Sequence, residues 1–502
     1  MYTFLIAVVV LIGGFFGYSL LAEKIFGADN RKTPAIASPD GVDKIPLGKA
    51  KAFLIELLNI AGTGPIFGAV SGALFGPIAF LWIVLGCILG GAVHDYFSGM
   101  ISSRHDGASI VTLTGKYFGK VMKIIMSVFS VFLLILVTAV FVVSPSSLLQ
   151  DLTNRIVPSW AWLVIILGYY LIAAILPIDK LIGKLYPFFG AILIAMALMS
   201  FAVVGTDKYP LIELIGNLKD YSLQNGGLPA WPFMLITIAC GAVSGFHATQ
   251  TPMVAKCIKT EKEGRHIFYG AMVAEGIIAL IWAAVAMAFF HVDQPDGWTT
   301  LKELGGGSSR TINEIAHTLL GPVGVACAVI GVVICPITSG DTALRSARLI
   351  MGELFHLNQK KVSNRLILTV PLFACVAGLS LWNFLDNNNF QTLWRWFAWA
   401  NQTMAAMSLW ISAIYLMTNC KYKFGWVIAG VPAVFMTVVV TTYLFGEPNI
   451  SLGKWIPLIW ASNIGYAAGG ITLSLAIVHF FKINRWGIFK NYQPKHKATV
   501  QK

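Results

Sequence analysis

Apolar stretches of about 20 residues recur along the whole chain, separated by short polar segments. Such a stretch is long enough, as a helix, to cross a hydrocarbon core of about 30 Å. In lipid every backbone amide must be satisfied internally, so each stretch is predicted to be a helix. The pattern predicts about 13 transmembrane helices, at 2–22, 53–75, 78–100, 121–145, 160–177, 186–205, 230–254, 266–290, 319–342, 364–385, 390–417, 424–445 and 460–481. The fifth is short, and tilting or partial re-entry would explain its length. No soluble domain fits between the spans. Nothing basic precedes Tyr2, whereas Lys24, Arg31 and Lys32 follow the first span. A signal peptide has the reverse order, so a retained helix with an external amino terminus is expected.

Two spans are interrupted. The second contains Asn59-Ile60-Ala61-Gly62-Thr63-Gly64-Pro65, and the seventh runs from Gly241 through Ser244, Gly245, His247, Thr249 and Gln250 to Pro252. In each, glycines and hydroxyl residues lead into a proline, which suits the first turn of a new helical segment. Each span is therefore expected to be two half-helices. The alternative is glycine-mediated packing of unbroken helices. The breaks lie five spans apart, an odd number, so the two helices run in opposite directions. Interrupted helices at matching places in inverted halves point to a transporter binding site. The expected organisation is an extra helix and loop (1–52), five core helices (53–205), five inverted core helices (230–417), and two peripheral helices with a basic tail (418–502).

Composition supports the membrane reading: 57% of residues are hydrophobic and only 12% charged, and mean hydropathy is +0.73. Soluble domains carry about 25% charged residues. The net charge of +13 would suit a nucleic-acid partner if it formed one patch. Instead, 29 of the 36 Lys and Arg fall in odd-numbered loops and the tail, counting those at span edges with the nearest loop. The positive-inside rule puts these loops and the carboxyl terminus in the cytoplasm of a bacterial inner membrane. No nucleic-acid partner is expected. The seven cysteines form no CxxC pair and read as small buried hydrophobes, without disulfide or metal cluster.

A half-helix that begins near Gly64-Pro65 offers free N–H groups and a positive dipole end, which favour a carboxylate. The half ending near Asn59 and Ala61 offers carbonyls, which favour a cation. Four carboxylates fall inside spans, where each costs about 2.5–3.5 kcal/mol. Asp95 adjoins His94, and the pair reads either as a structural hydrogen bond or as a proton relay. Asp341 follows Thr338 and Ser339 and precedes Thr342. That group could hold Na⁺ or H⁺, or Asp341 could pair with Arg345 four residues on. His247 sits in the second break, with a structural or a substrate-binding role open. Glu56 and Glu275 are given no role. The run Leu393-Trp394-Arg395-Trp396-Phe397-Ala398-Trp399 reads as an interfacial aromatic belt.

Asn59–Pro65, Gly90-Gly91-Ala92-Val93-His94-Asp95, Ser102-Ser103-Arg104 and Ala239–His247 together resemble the carbon starvation protein A family, a shorter branch of it, over residues 3–480. The resemblance implies the amino acid–polyamine–organocation superfamily and its LeuT-like five-plus-five inverted-repeat fold. It also implies uptake of peptides or pyruvate when preferred carbon is scarce. Superfamily practice would place Na⁺ between the second and ninth spans, with Thr338 and Ser339 opposite Ala61. Substrate contacts are then expected from Asn59, Gly62, Thr63, Gly64, Pro65, Ser244, Gly245, His247, Thr249 and Gln250, and cation contacts from Ala61, Thr338, Ser339, Asp341 and Thr342. No cofactor is expected beyond Na⁺ or H⁺ as the coupling ion. An amino-acid/cation symporter is a second transport reading. A channel would call for a continuous polar stripe rather than paired breaks. A membrane enzyme would need a nucleophile, metal-ligand or nucleotide motif, and none is present.

Overall fold

The computed structural model describes residues 2–40, 44–153, 155–175, 198, 201–202, 206, 208–357, 359, 361–386, 389–450 and 452–485. Their regular structure is helical, apart from one isolated bridge between Lys32 and Thr260. The principal helices are α1 (Tyr2–Phe26), α2 (Lys49–Ile60), α3 (Gly64–Phe75), α4 (Ile78–Arg104), α5 (Lys120–Leu152), α6 (Ser159–Ile175), α7 (Ala230–Thr237), α8 (His247–Ala255), α9 (Gly270–Phe290), α10 (Ser309–Leu354), α11 (Val362–Leu385), α12 (Asn389–Asn419), α13 (Val427–Gly446) and α14 (Leu458–Arg485). Among the described residues, seven segments are long and apolar enough to cross a membrane by themselves, and α2 with α3, bent by 59°, makes an eighth. The fifth, seventh, ninth and eleventh expected spans coincide with α6, α7 plus α8, α10 and α12. The expected sixth span and the basic tail lie outside the described residues.

Both expected breaks are present. Helix α2 stops at Ile60, because Ala61 leaves helical geometry at φ −78°, ψ 78°. Helix α3 restarts at Gly64, with Pro65 in its first turn. Helix α7 ends at Thr237, and Gly241 adopts φ +88°, a left-handed conformation suited to glycine. The restart of the seventh span differs from expectation. Helix α8 begins at His247, and Pro252 sits inside it. Proline lacks an N–H, so the carbonyl of Ala248 is left without its usual helical donor. The ninth span is also longer than expected. The Ser308 hydroxyl caps the Thr311 N–H at 3.3 Å, and α10 continues for 46 residues to Leu354.

Loops sort by parity. At one end Arg104, closing α4, binds Glu261 through two 2.9 Å bonds, the Gly27 carbonyl at 2.8 Å and the Tyr415 hydroxyl at 3.2 Å. Arg31 approaches the same Glu261 at 3.4 Å, and its fork to Asp29 holds the Asp29 carboxyl down at about 2. At the opposite end Thr3 meets Glu213, Trp298 meets Leu74, and Gln391 meets Gly305. The odd-numbered loops that make these contacts thus gather at one end and the even-numbered ones at the other.

The Glu261 side chain is 1% exposed and that of its partner Arg104 6%. Removing one member of a buried ion pair leaves the other uncompensated, at a cost of about 3–5 kcal/mol. Glu261→Gln is therefore expected to lower the thermal unfolding midpoint clearly, while Glu261→Leu combined with Arg104→Met should recover most of it. An unchanged midpoint in Glu261→Gln would remove this network from the account of stability.

Helices α1, α11 and α14 bury only 22%, 28% and 22% of their most apolar windows, against 83% for the segment containing α9. They present apolar side chains such as Val9, Ile367 and Ile459 outward, as lipid-facing helices must. The broken helices lie inside. Gly64, Gly68 and Gly72 are spaced by four on α3 and form one stripe against the end of α7. A Cβ on Gly64 would run into Cys240, one on Gly68 would stand 2.9 Å from the Thr237 carbonyl oxygen, and one on Gly72 would meet Ile238. Glycine here permits direct contact between the two helices.

Candidate functional site

Both breaks are enclosed. Asn59, Ala61, Gly62, Thr63, Gly64, Pro65, Ser244, Gly245, His247, Thr249 and Gln250 are all buried. Phe141 of α5 stands between the breaks: its ring takes the space a side chain at Gly62 would need, and it lies edge-on to Phe246 at 6.0 Å. The Thr63 hydroxyl is buried and has no hydrogen-bond partner among the described residues. Because it adjoins the start of α3, where the first N–H groups lack intrahelical acceptors, it can contribute to an anion site.

The second break is held by Asn401 of α12. Its side-chain oxygen accepts from the Phe246 N–H at 2.7 Å and from the Ser244 hydroxyl at 3.2 Å, and its carbonyl accepts from the Gly245 N–H at 3.2 Å. Asn401 was not among the expected residues. The signal was the polar run Asn401-Gln402-Thr403 in the middle of a mostly apolar span. Gln250 donates to the Thr249 hydroxyl at 2.8 Å and leaves its buried carbonyl oxygen unpartnered among the described residues.

The ionisable residues form one chain. His94 Nδ1 lies 2.7 Å from Asp95 Oδ1, and Asp95 Oδ2 lies 2.8 Å from His247 Nδ1. On the other side of the imidazole, His247 Nε2 is 3.4 Å from Glu275 Oε2. All four side chains are fully buried. Glu56 is buried beside them, within the electrostatic reach of Asp95 and His247. The chain joins α4, the start of α8 and α9. Glu275 and Glu56, given no role by sequence, belong to this cluster.

The sulfur of Cys240 lies with His247 and Glu275, their ligand atoms within 4.8 Å of one another. Thiol, imidazole and carboxylate are donors a transition metal can use. Cys240 is already engaged with Ser244 at 3.4 Å and Asn401 at 3.8 Å. These residues are read with the ionisable chain, which His247 and Glu275 already form.

The expected cation group is not gathered into one shell. The Ser339 hydroxyl donates to the Leu58 carbonyl at 3.0 Å, which ties α10 to the end of α2 near Ala61. Thr338 and Thr342 donate to carbonyls of their own helix. Asp341 faces elsewhere and accepts from the Tyr169 hydroxyl of α6 at 3.0 Å. Residues two apart on a helix point about 200° from each other, so Ser339 and Asp341 cannot face one ion. The alternative partner, Arg345, lies within electrostatic reach of Asp341 and donates to the Ala173 carbonyl at 2.7 Å.

Two broken helices in an all-helical fold mark a secondary transporter of the LeuT-fold class. Solved structures agree on the fold. A manganese transporter from Eremococcus coleocola has a TM-score of 0.55 at 14% identity, covering 89% of this chain and 99% of its own. MhsT in complex with L-phenylalanine has a TM-score of 0.55 at 15% identity, covering 86% and 99%. The chain belongs to the carbon starvation protein CstA family, whose description matches residues 1–159, 149–303 and 296–443. A membrane protein of Haemophilus influenzae is 44% identical over 58% of this chain and 92% of its own length. The peptide transporter CstA of Campylobacter jejuni is 25% identical over 86% and 77%. The pyruvate/proton symporter BtsT of Escherichia coli is 25% identical over 86% and 79%.

Proposed function

We propose that this chain imports small carboxylate-bearing nutrients, short peptides or pyruvate, together with H⁺, when preferred carbon is scarce. In this reading the units 53–205 and 230–417 rock against each other around the two breaks, with 1–52 and 418–502 as flanks. The protein lies in the inner membrane with its amino terminus outside and its carboxyl terminus in the cytoplasm. Substrate displaces Phe141 and lies between Thr63-Gly64 and Ser244–Gln250.

The observation that carries the choice of H⁺ is the buried chain His94–Asp95–His247–Glu275. A proton on Glu275 can pass to His247 Nε2, and the imidazolium can then release its Nδ1 proton to Asp95. Imidazole suits this exchange at physiological pH. For an anion such as pyruvate, charge balance also supports the pairing: the carboxylate carried alone would add an unpaired charge to the membrane interior, which is costly, whereas with a proton it adds none. The parity of the loops and the names of the two transporter relatives support the direction and substrate class. A Na⁺ version would use the Ser339 hydroxyl and the Leu58 carbonyl.

Uptake by proteoliposomes tests this reading. Labelled pyruvate, dipeptides, tripeptides and amino acids would be offered under separately imposed pH and Na⁺ gradients. A pH gradient alone is expected to drive accumulation of at least one carboxylate substrate. Accumulation driven only by Na⁺, and lost in Ser339→Ala, would replace H⁺ by Na⁺.

A further inference from the structure

A cavity of about 470 Å³ opens at the end where the even-numbered loops meet. Its lining includes Thr237, where the end of α7 touches the glycine stripe of α3, so the cavity lies just outside the closed contact between the broken helices. Two of its walls are indoles. Trp298 is fixed by a 2.8 Å bond from its Nε1 to the Leu74 carbonyl, and the Lys302 ammonium lies 4.8 Å from its ring centroid. Trp394 faces the cavity together with Phe233.

Four charged residues line this space, Lys302, Glu303, Arg395 and Glu447, and the last two face each other. Arg395 Nε is 3.8 Å from Glu447 Oε1, too far for a hydrogen bond. Arg395 makes no hydrogen bond among the described residues, so its fork is open. Glu447 is 1% exposed, a buried carboxylate at the cavity wall, and its Oε1 accepts from Asn449 at 2.7 Å. A guanidinium fork binds a carboxylate by two parallel hydrogen bonds. A buried carboxylate is a partner for an ammonium, and indole faces take apolar or cationic groups. A three-carbon keto acid would use the arginine alone and leave Glu447 and the indoles without a role.

We propose that this cavity is an outer recognition site for a small zwitterion with an apolar side chain. The ligand is a short peptide, with its carboxylate on Arg395, its ammonium on Glu447 and its side chain against Trp394 and Phe233. The proposal narrows the substrate class of the importer reading and rests on that reading for direction of transport. It requires an α-ammonium, a carboxylate and apolar surface. A free aromatic amino acid shares these, and the test separates the two.

Equilibrium binding would be measured on the purified full-length protein with Ala-Phe, acetyl-Ala-Phe, Ala-Phe amide, phenylalanine and pyruvate. The proteins would be the wild type, Arg395→Gln, Arg395→Lys and Glu447→Gln, each checked for its unfolding midpoint. Ala-Phe is expected to bind the wild type, and blocking either end should weaken it about tenfold or more, the loss of one charge-assisted contact. Arg395→Gln should weaken Ala-Phe as much, but should cost Ala-Phe amide little. Arg395→Lys should restore part of the binding. Glu447→Gln should weaken Ala-Phe while leaving acetyl-Ala-Phe unchanged. A purely structural role would weaken all probes alike, and that result would overturn the proposal. So would equal affinity in Arg395→Gln, Arg395-dependent binding of pyruvate as tight as that of Ala-Phe, or preference for phenylalanine over the dipeptide. Failure of the importer reading looks different: Arg395-dependent binding would persist while proteoliposomes took up no peptide.

Discussion

Asp95→Asn is expected to uncouple the transporter. Asp95 is the centre of the buried chain, bonded to His94 on one oxygen and to His247 on the other. Asparagine keeps the shape, but its amide cannot take a proton from the imidazolium. Removing a positioned proton-transfer group typically costs about 10²–10⁴-fold in a reaction that needs it. Gradient-driven accumulation should therefore fall by about 10²-fold or more. Exchange of labelled for unlabelled substrate, which needs no net proton movement, should survive within a few-fold. His247→Gln should show the same split. Accumulation at the wild-type level by a well-folded Asp95→Asn protein would end the proton-chain reading.

The second large effect concerns the glycine stripe. From sequence, Gly64 reads as a place where substrate approaches the backbone, so that a side chain there blocks binding only. In the structure the first group such a side chain meets is Cys240 of the other broken span. Gly64→Val is accordingly expected to push α3 from α7, with strain of about 1–3 kcal/mol or more and complete loss of transport. The contact can be tested by exchange. Gly64→Ala alone should be impaired, and Gly64→Ala with Cys240→Gly should regain much of the lost stability, a coupling that distant residues would not show. As a control, a Cβ at Gly378 would have nothing within 4 Å, so Gly378→Ala should be silent. No recovery in the double variant would mean that the contact does not limit the fold.

Much of the fold was legible because lipid imposes strong rules. Runs of apolar residues, glycine-rich breaks and the distribution of Lys and Arg each carry a physical cost when misplaced, and these features marked helices, interruptions and loop parity. The site was less legible. His94 and Asp95 are neighbours in sequence, but His247 and Glu275 join them only through packing of α4, α8 and α9, which no local pattern encodes. Their shared signal was the expense of ionisable groups inside spans. Spacing misled in the ninth span, where Ser339 and Asp341 are close in sequence yet face opposite sides of a helix. Pro252 misled because a proline near a break fits a helix start as well as a helix interior. Trp394 and Arg395 read as part of an interfacial belt, and no local pattern showed that they line one cavity with Trp298.

The length of α10 has a mechanical consequence. Its 46 residues extend for about 69 Å at 1.5 Å per residue, more than twice a hydrocarbon core of about 30 Å. The helix is therefore a lever. Its inner stretch is pinned to the first broken helix at Ser339–Leu58, and near its far end Glu353 accepts bonds from Ser109 and Thr112. Ser339 and Glu353 are separated by 14 residues, an arm of about 21 Å. A 10° tilt about Ser339 would sweep Glu353 through about 4 Å on that arm, farther than a 2.8 Å hydrogen bond can follow. A small angular change at the break must either carry the 110–118 helix with it or release it.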